Sequence, residues 1–192
     1  WSVPNDEVED SDPESNLEKR FRVVLAERLE ALGATVVEKP SHKGIVWDIA
    51  LGPTNRWTLR PQEYVLGCQP DFVLTSARGG VPPTAIFTDG WIYHATAACN
   101  RLADDAEKRR NLRDAGYQVI AVTYQDIEGQ PVDSASLRQE WASRLVGMSG
   151  DQLSKSTVDL VFGTALDLIV AWIASPVREA RERLANWIPA LG

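Results

Sequence analysis

Apolar residues recur at helical spacing at Leu17, Phe21, Val24, Leu25, Leu29 and Leu32, which predicts a helix over residues 15–32 that stops at Gly33. Short apolar runs bounded by glycine or proline then predict strands over 35–38, 45–51, 56–59 and 71–75. The loop 76–83 carries Arg78-Gly79-Gly80 and Pro82-Pro83 and reads as the connection of a hairpin. Its second strand, 84–89, ends in the turn Asp89-Gly90, and a short aromatic run follows and stops at His94. A charged helix over 102–115 ends at Gly116 and leads at once into a strand over 118–123. A helix placed between two strands implies a crossover, and therefore some parallel pairing.

Residues 127–132 read as a linker with Gly129 and Pro131, and beyond it the pattern is helical alone, over 134–146, 157–174 and 176–187. The middle segment is apolar on more than one face, as a buried helix is. The expected fold class is therefore α/β, with a mixed central sheet flanked by helices over 14–128 and an all-helical C-terminal extension over 132–192. Residues 1–13 are polar and acidic and are expected to form an irregular leader.

Composition narrows this picture. Hydrophobic residues make up 44% and charged residues 24%, values of an ordinary globular domain. No apolar run reaches the roughly 18 residues that span a bilayer, and no signal-peptide pattern opens the chain. Two cysteines, Cys68 and Cys99, make neither a disulfide framework nor a zinc pattern, so a reducing cytoplasmic setting is expected. The chain begins at Trp1, from which a piece of a longer polypeptide is expected. A net charge of −7 argues against a general nucleic-acid coat, since phosphate affinity comes largely from Lys and Arg. The most basic element is the helix over 102–115. There Lys108, Arg109 and Arg110 read either as a solvated face or as contacts to a phosphate backbone. Asp105 and Arg109, four apart, are also an ordinary helix-stabilising pair.

The candidate chemistry lies in the hairpin. Asp71 and Asp89 stand near the ends of two strands expected to be adjacent, and hard cations such as Mg²⁺ take oxygen ligands. Strand alternation places Asp71 with Val73 on one face and Asp89 with Phe87 on one face, with Thr88 opposite. A cation held there would polarise a phosphoryl oxygen and acidify a bound water, and His94 could take a proton near neutral pH. The plainer reading is also available, because Asp-Gly is by itself a hairpin-turn signal. Glu18 stands three residues after Ser15, the capping-box spacing.

The stretch Phe87-Thr88-Asp89-Gly90-Trp91-Ile92-Tyr93-His94 resembles the phenylalanine-threonine-histidine-glycine…histidine segment of very-short-patch-repair (Vsr) endonucleases, members of the PD-(D/E)xK restriction-endonuclease-like superfamily. The order of elements over residues 15–127 is also similar: a helix with a glutamate, a Pro-Asp strand, the glycine-turn strand, a charged helix and a last strand. The resemblance implies a restriction-endonuclease-like fold and Mg²⁺- or Mn²⁺-dependent cleavage of DNA. It implies Asp71 and the Thr88 carbonyl as metal ligands, His94 as the residue that activates water or handles phosphate, and Glu18 as a support. Asp89 replaces the family's first histidine, where a carboxylate could recruit a second ion or replace a phosphate contact.

Other positions depart from the pattern. Asp89 stands where the wider superfamily places its lysine, and the zinc ligands of Vsr enzymes are missing, with Trp91 in one of their places. Mismatch specificity is accordingly not implied. The overall look resembles the C-terminal region of large bacterial DNA helicases, including those of anti-phage defence. This implies a longer parent chain that delivers DNA to the site. Two other classes of function stand beside the nuclease: a catalytically inactive module that binds DNA or docks a partner, and a structural appendage docked through the apolar helix 157–174.

Overall fold

The computed structural model describes residues 16–89, 101–129 and 164–175. Helix α1 (Asn16–Ala31) buries one stripe, in which Phe21, Leu25 and Leu29 are fully enclosed. It ends where Gly33 takes a left-handed φ of 80°, and the Ala34 N–H donates back to the Leu29 carbonyl at 3.0 Å. That closure is open to glycine because the conformation crowds any Cβ against its own backbone.

Strands β1 (Thr35–Ser41), β2 (Gly44–Leu51), β3 (Asn55–Pro61), β4 (Phe72–Ser76) and β5 (Thr84–Asp89) follow as an antiparallel meander. Helix α2 (Arg101–Asp114) then crosses over to β6 (Gln118–Thr123), which pairs parallel with β5. The six strands lie in the order β1-β2-β3-β4-β5-β6. The expected α/β class with a mixed sheet is thus observed. Helix α3 (Tyr124–Glu128) follows β6 directly, and helix α4 (Ala165–Ala174) completes the described elements.

One face of the sheet presents Trp47, Ile49, Trp57, Leu59, Phe72, Leu74 and Ile86 to α1 and α4. Alternation along each strand is what gathers these side chains on one side. Phe21 packs on Phe72 with ring centroids 5.1 Å apart, and Trp57 on Trp172 at 6.5 Å. The opposite face is covered at its β4–β6 end, where Ala85 and Cys68 meet Leu112 of α2. Burial of each large apolar side chain in these layers contributes about 1.5–3 kcal/mol.

Several element limits differ from expectation, each for a local reason. Asp71 falls in the bend just before β4, where its carbonyl still accepts from the Gln62 N–H at 2.9 Å and so continues the β3–β4 register one residue beyond the strand. The segment expected as a linker from residue 127 instead lies partly in α3. The Thr123 hydroxyl caps that helix and Asp126 bonds back to Thr123, while Ile127 enters the core at 3% exposure. The helix expected over 157–174 begins at Ala165, where Thr164 and Asp167 form a second capping box.

Helix α4 is a layer of the α/β core. Leu166, Ile169, Trp172 and Ile173 are buried, and Asn55 and Trp57 of β3 donate to the Ile173 carbonyl at 2.7 and 3.2 Å. At its other end the Ala165 N–H donates to Asp126 at 2.8 Å, and Asp167 pairs with Arg28 of α1. The expected all-helical extension otherwise lies outside the described residues, as do the expected helices over 134–146 and 176–187 and the leader over 1–13. No described helix is long and apolar enough to cross a membrane.

Candidate functional site

The antiparallel β4–β5 pair brings the two acids to the same end of the sheet, Asp71 just before β4 and Asp89 as the last residue of β5. Asp71 is half-buried, and its Oδ2 accepts from both the Thr88 N–H at 2.6 Å and the Thr88 hydroxyl at 2.9 Å. In extended backbone the N–H and C=O of one residue lie along the same edge of a strand. Thr88 therefore presents its carbonyl toward the Asp71 side of β5. Alternation predicts Thr88 on the face opposite Phe87 and Asp89; the Asp89 side chain lies outside the described residues, and Thr88 itself meets Asp71 through its N–H and hydroxyl.

Glu18, on the first turn of α1, is only 7% exposed, and its Oε2 accepts from the Gln62 side chain at 3.2 Å. Gln62 in turn accepts from Gln69 at 3.0 Å through its own side-chain oxygen, and its backbone holds Asp71. Glu18 and Asp71 are thus linked through one glutamine. Ser15, the expected cap partner of Glu18, lies outside the described residues. Gln62 occupies the left-handed region at φ 49°, a conformation that costs a non-glycine residue about 1 kcal/mol. Nothing in the sequence singled out Gln62 or Gln69; a glutamine after Pro61 carries no pattern that distinguishes a hub from a loop residue.

A cleft of about 420 Å³ opens beside Asp71 and Thr88 and is also lined by Tyr64 and Gln69 and by Asp105, Lys108 and Arg109 of α2. Its volume is in the range of small-ligand sites, about 300–1,000 Å³. Arg109 lies over the Phe87 ring at 4.7 Å, a cation–π contact that fixes the guanidinium at the wall. Lys108 pairs with Asp104 at 2.6 Å, and that hydrogen bond raises its pKa above the usual 10.5, so it is charged at every physiological pH. Arg110 is exposed and does not line this cleft. Burial pushes the Cys68 thiol above its ordinary value, which keeps it from serving as a thiolate here.

The structure therefore brings together Asp71, Thr88, Lys108 and Arg109, and ties Glu18 to them through Gln62. His94 and the Asp89 side chain lie outside the described residues. Among the described residues no group of three or more His, Cys, Asp or Glu side chains is placed to hold a metal ion. Asp71 and the Thr88 backbone carbonyl are hard oxygens of the type that Mg²⁺ and Mn²⁺ take, and a second carboxylate, Asp105, lines the same cleft. No family model, curated protein or solved structure matches the chain.

Proposed function

We propose that this chain is a Mg²⁺- or Mn²⁺-dependent deoxyribonuclease domain that hydrolyses DNA phosphodiesters as part of a larger DNA-processing or anti-phage defence protein. The observation that carries the reading is the bonding of Asp71 to Thr88 in a cleft that Lys108 and Arg109 also line. An acid beside a backbone carbonyl suits a divalent cation, and two cationic side chains in the same cleft suit the phosphate on which that cation acts. The Vsr-like order of motifs supports the same reading.

Asp71, the Thr88 carbonyl and Asp89 would hold the ion, which when bound supplies a polarised phosphoryl oxygen and a more acidic water. The chain's own residues do the rest. Lys108 and Arg109 bind and orient the scissile phosphate, and Arg110, farther along α2, meets a neighbouring phosphate. His94 takes the proton of the attacking water. Glu18 acts at one remove, by holding Gln62 and through it the backbone of Asp71. The parent chain, a helicase in this reading, delivers the DNA.

One observation favours an inactive DNA-binding module instead: Asp71 Oδ2 already accepts two hydrogen bonds from Thr88. The two readings part in a single experiment. Plasmid DNA incubated with the chain and Mg²⁺ or Mn²⁺ is nicked or cut, and Asp71→Ala is inactive by at least a hundredfold while its thermal melt remains cooperative. DNA binding without metal-dependent cutting by the wild-type chain assigns the inactive module.

A further inference from the structure

Between β3 and β4 the chain makes a second, much smaller hairpin at the mouth of the cleft. Val65 and Cys68 exchange both backbone hydrogen bonds, at 2.7 and 2.9 Å, across the two-residue tip Leu66-Gly67. Both tip residues have positive φ, 51° and 78°, as a type I′ turn requires. Glycine is at home there. Leucine is not, since its Cβ meets its own backbone in that region, and asparagine or aspartate is the usual occupant.

The tip carries a second cost at the same place. Leu66 is 56% exposed and its neighbour Tyr64 is 67% exposed, although both are large apolar groups. Tyr64 lines the cleft that holds Asp71, and its hydroxyl lies 4.0 Å from where a Cβ on Gly67 would be, so the ring extends over the turn. Tyr64 and Gly67 line the cleft and Leu66 stands between them in sequence at the turn tip, so a strained, exposed leucine and a solvated tyrosine sit in one short hairpin at the cleft. Strain of this sort persists where a ligand makes use of it.

We infer that this hairpin is a base-contacting platform: Tyr64 stacks on an unpaired base, and Leu66 packs against its neighbour, while Lys108 and Arg109 hold the phosphate in the cleft. A base inside a duplex already has both faces covered by its neighbours, so the platform selects single-stranded DNA, in which a face is open. This assignment of strand preference rests on the DNA-cleaving reading of the same cleft.

The test is binding of the full chain to fluorescent oligonucleotides of one sequence, single-stranded and duplex, in EDTA so that no cutting intervenes. The wild-type chain binds the single strand more tightly than the duplex. Tyr64→Ala loses about tenfold in single-strand affinity and little in duplex affinity, as loss of one stacked base implies. Leu66→Asn separates function from folding, because it restores a favoured turn pair. Its Tm rises by about 2–4 °C while its single-strand affinity falls several-fold. Equal affinities of wild type and Tyr64→Ala for the single strand overturn the platform and leave the nuclease reading standing. Absence of any DNA binding by the wild-type chain overturns both.

Discussion

Asp71 stands one residue outside its strand. Its carbonyl bond to Gln62 carries the β3–β4 pairing one residue past the strand, and its carboxylate accepts from the Thr88 N–H and hydroxyl. The acid itself was legible in the sequence, as a carboxylate following Pro70 ahead of an apolar run. Thr88 was legible only as a backbone ligand implied by the Vsr-like resemblance, since strand alternation carries no sign of the N–H and hydroxyl bonds it makes to Asp71. Gln62 was illegible for a different reason: its role comes from a left-handed backbone and from contacts to Glu18, Gln69 and Asp71, none of which leaves a pattern in the sequence. Gln62→Ala keeps the backbone bond to Asp71 but cuts the link to Glu18. It is expected to lower metal-dependent cleavage about tenfold, as loss of a group that orients a metal ligand does. Cleavage rates at saturating metal and at limiting metal check this, with the deficit larger at limiting metal.

Two elements owe their position to the same short motif. Thr123-x-x-Asp126 starts α3 and Thr164-x-x-Asp167 starts α4, and each aspartate also reaches beyond its own helix. Asp126 accepts the first N–H of α4, and Asp167 pairs with Arg28 of α1. These boxes explain both element limits that the apolar pattern misplaced. Periodicity marks where a helix buries a face, while the capping residues mark where it begins. Burial raises the pKa of Asp167, but the Thr164 N–H and hydroxyl and the Arg28 guanidinium outweigh burial and hold it below the ordinary 3.8.

The sign of the pH effect follows from that lowering. The stabilisation is fully present above the unfolded value and is lost as pH falls through the lower, folded value. Asp167→Ala is expected to cost about 1 kcal/mol near neutral pH, mostly through the cap, since solvent screens the half-exposed ion pair. Urea melts across the acidic range check this: the difference between wild type and variant shrinks below about pH 4.

At the scale of the whole molecule, the sheet is held from one side by α1 and α4 and from the other, at its β4–β6 end, by α2. The class of this architecture was legible because β-branched and aromatic runs alternate with one charged helix. The membership of α4 in the core was not, since its buried partners Asn55 and Trp57 lie more than a hundred residues away in the chain. Ile169→Ala, which opens a fully enclosed position, is expected to cost 2–5 kcal/mol in chemical denaturation. Unfolding followed by tryptophan fluorescence and by circular dichroism should shift together, because α4 and the sheet share one core. Under the proposed function, with a net charge of −7 overall, Lys108 and Arg109 are expected to supply much of any DNA affinity, and that affinity is expected to fall with added salt.

The central claim is that Asp71 and Thr88 form one side of a divalent-cation site. Titration of the intact chain with Mn²⁺, followed by calorimetry, tests it most directly. Wild type should show saturable binding that Asp71→Asn abolishes and that Asp48→Asn, on another part of the sheet, leaves intact. Identical isotherms for wild type and Asp71→Asn would contradict the account.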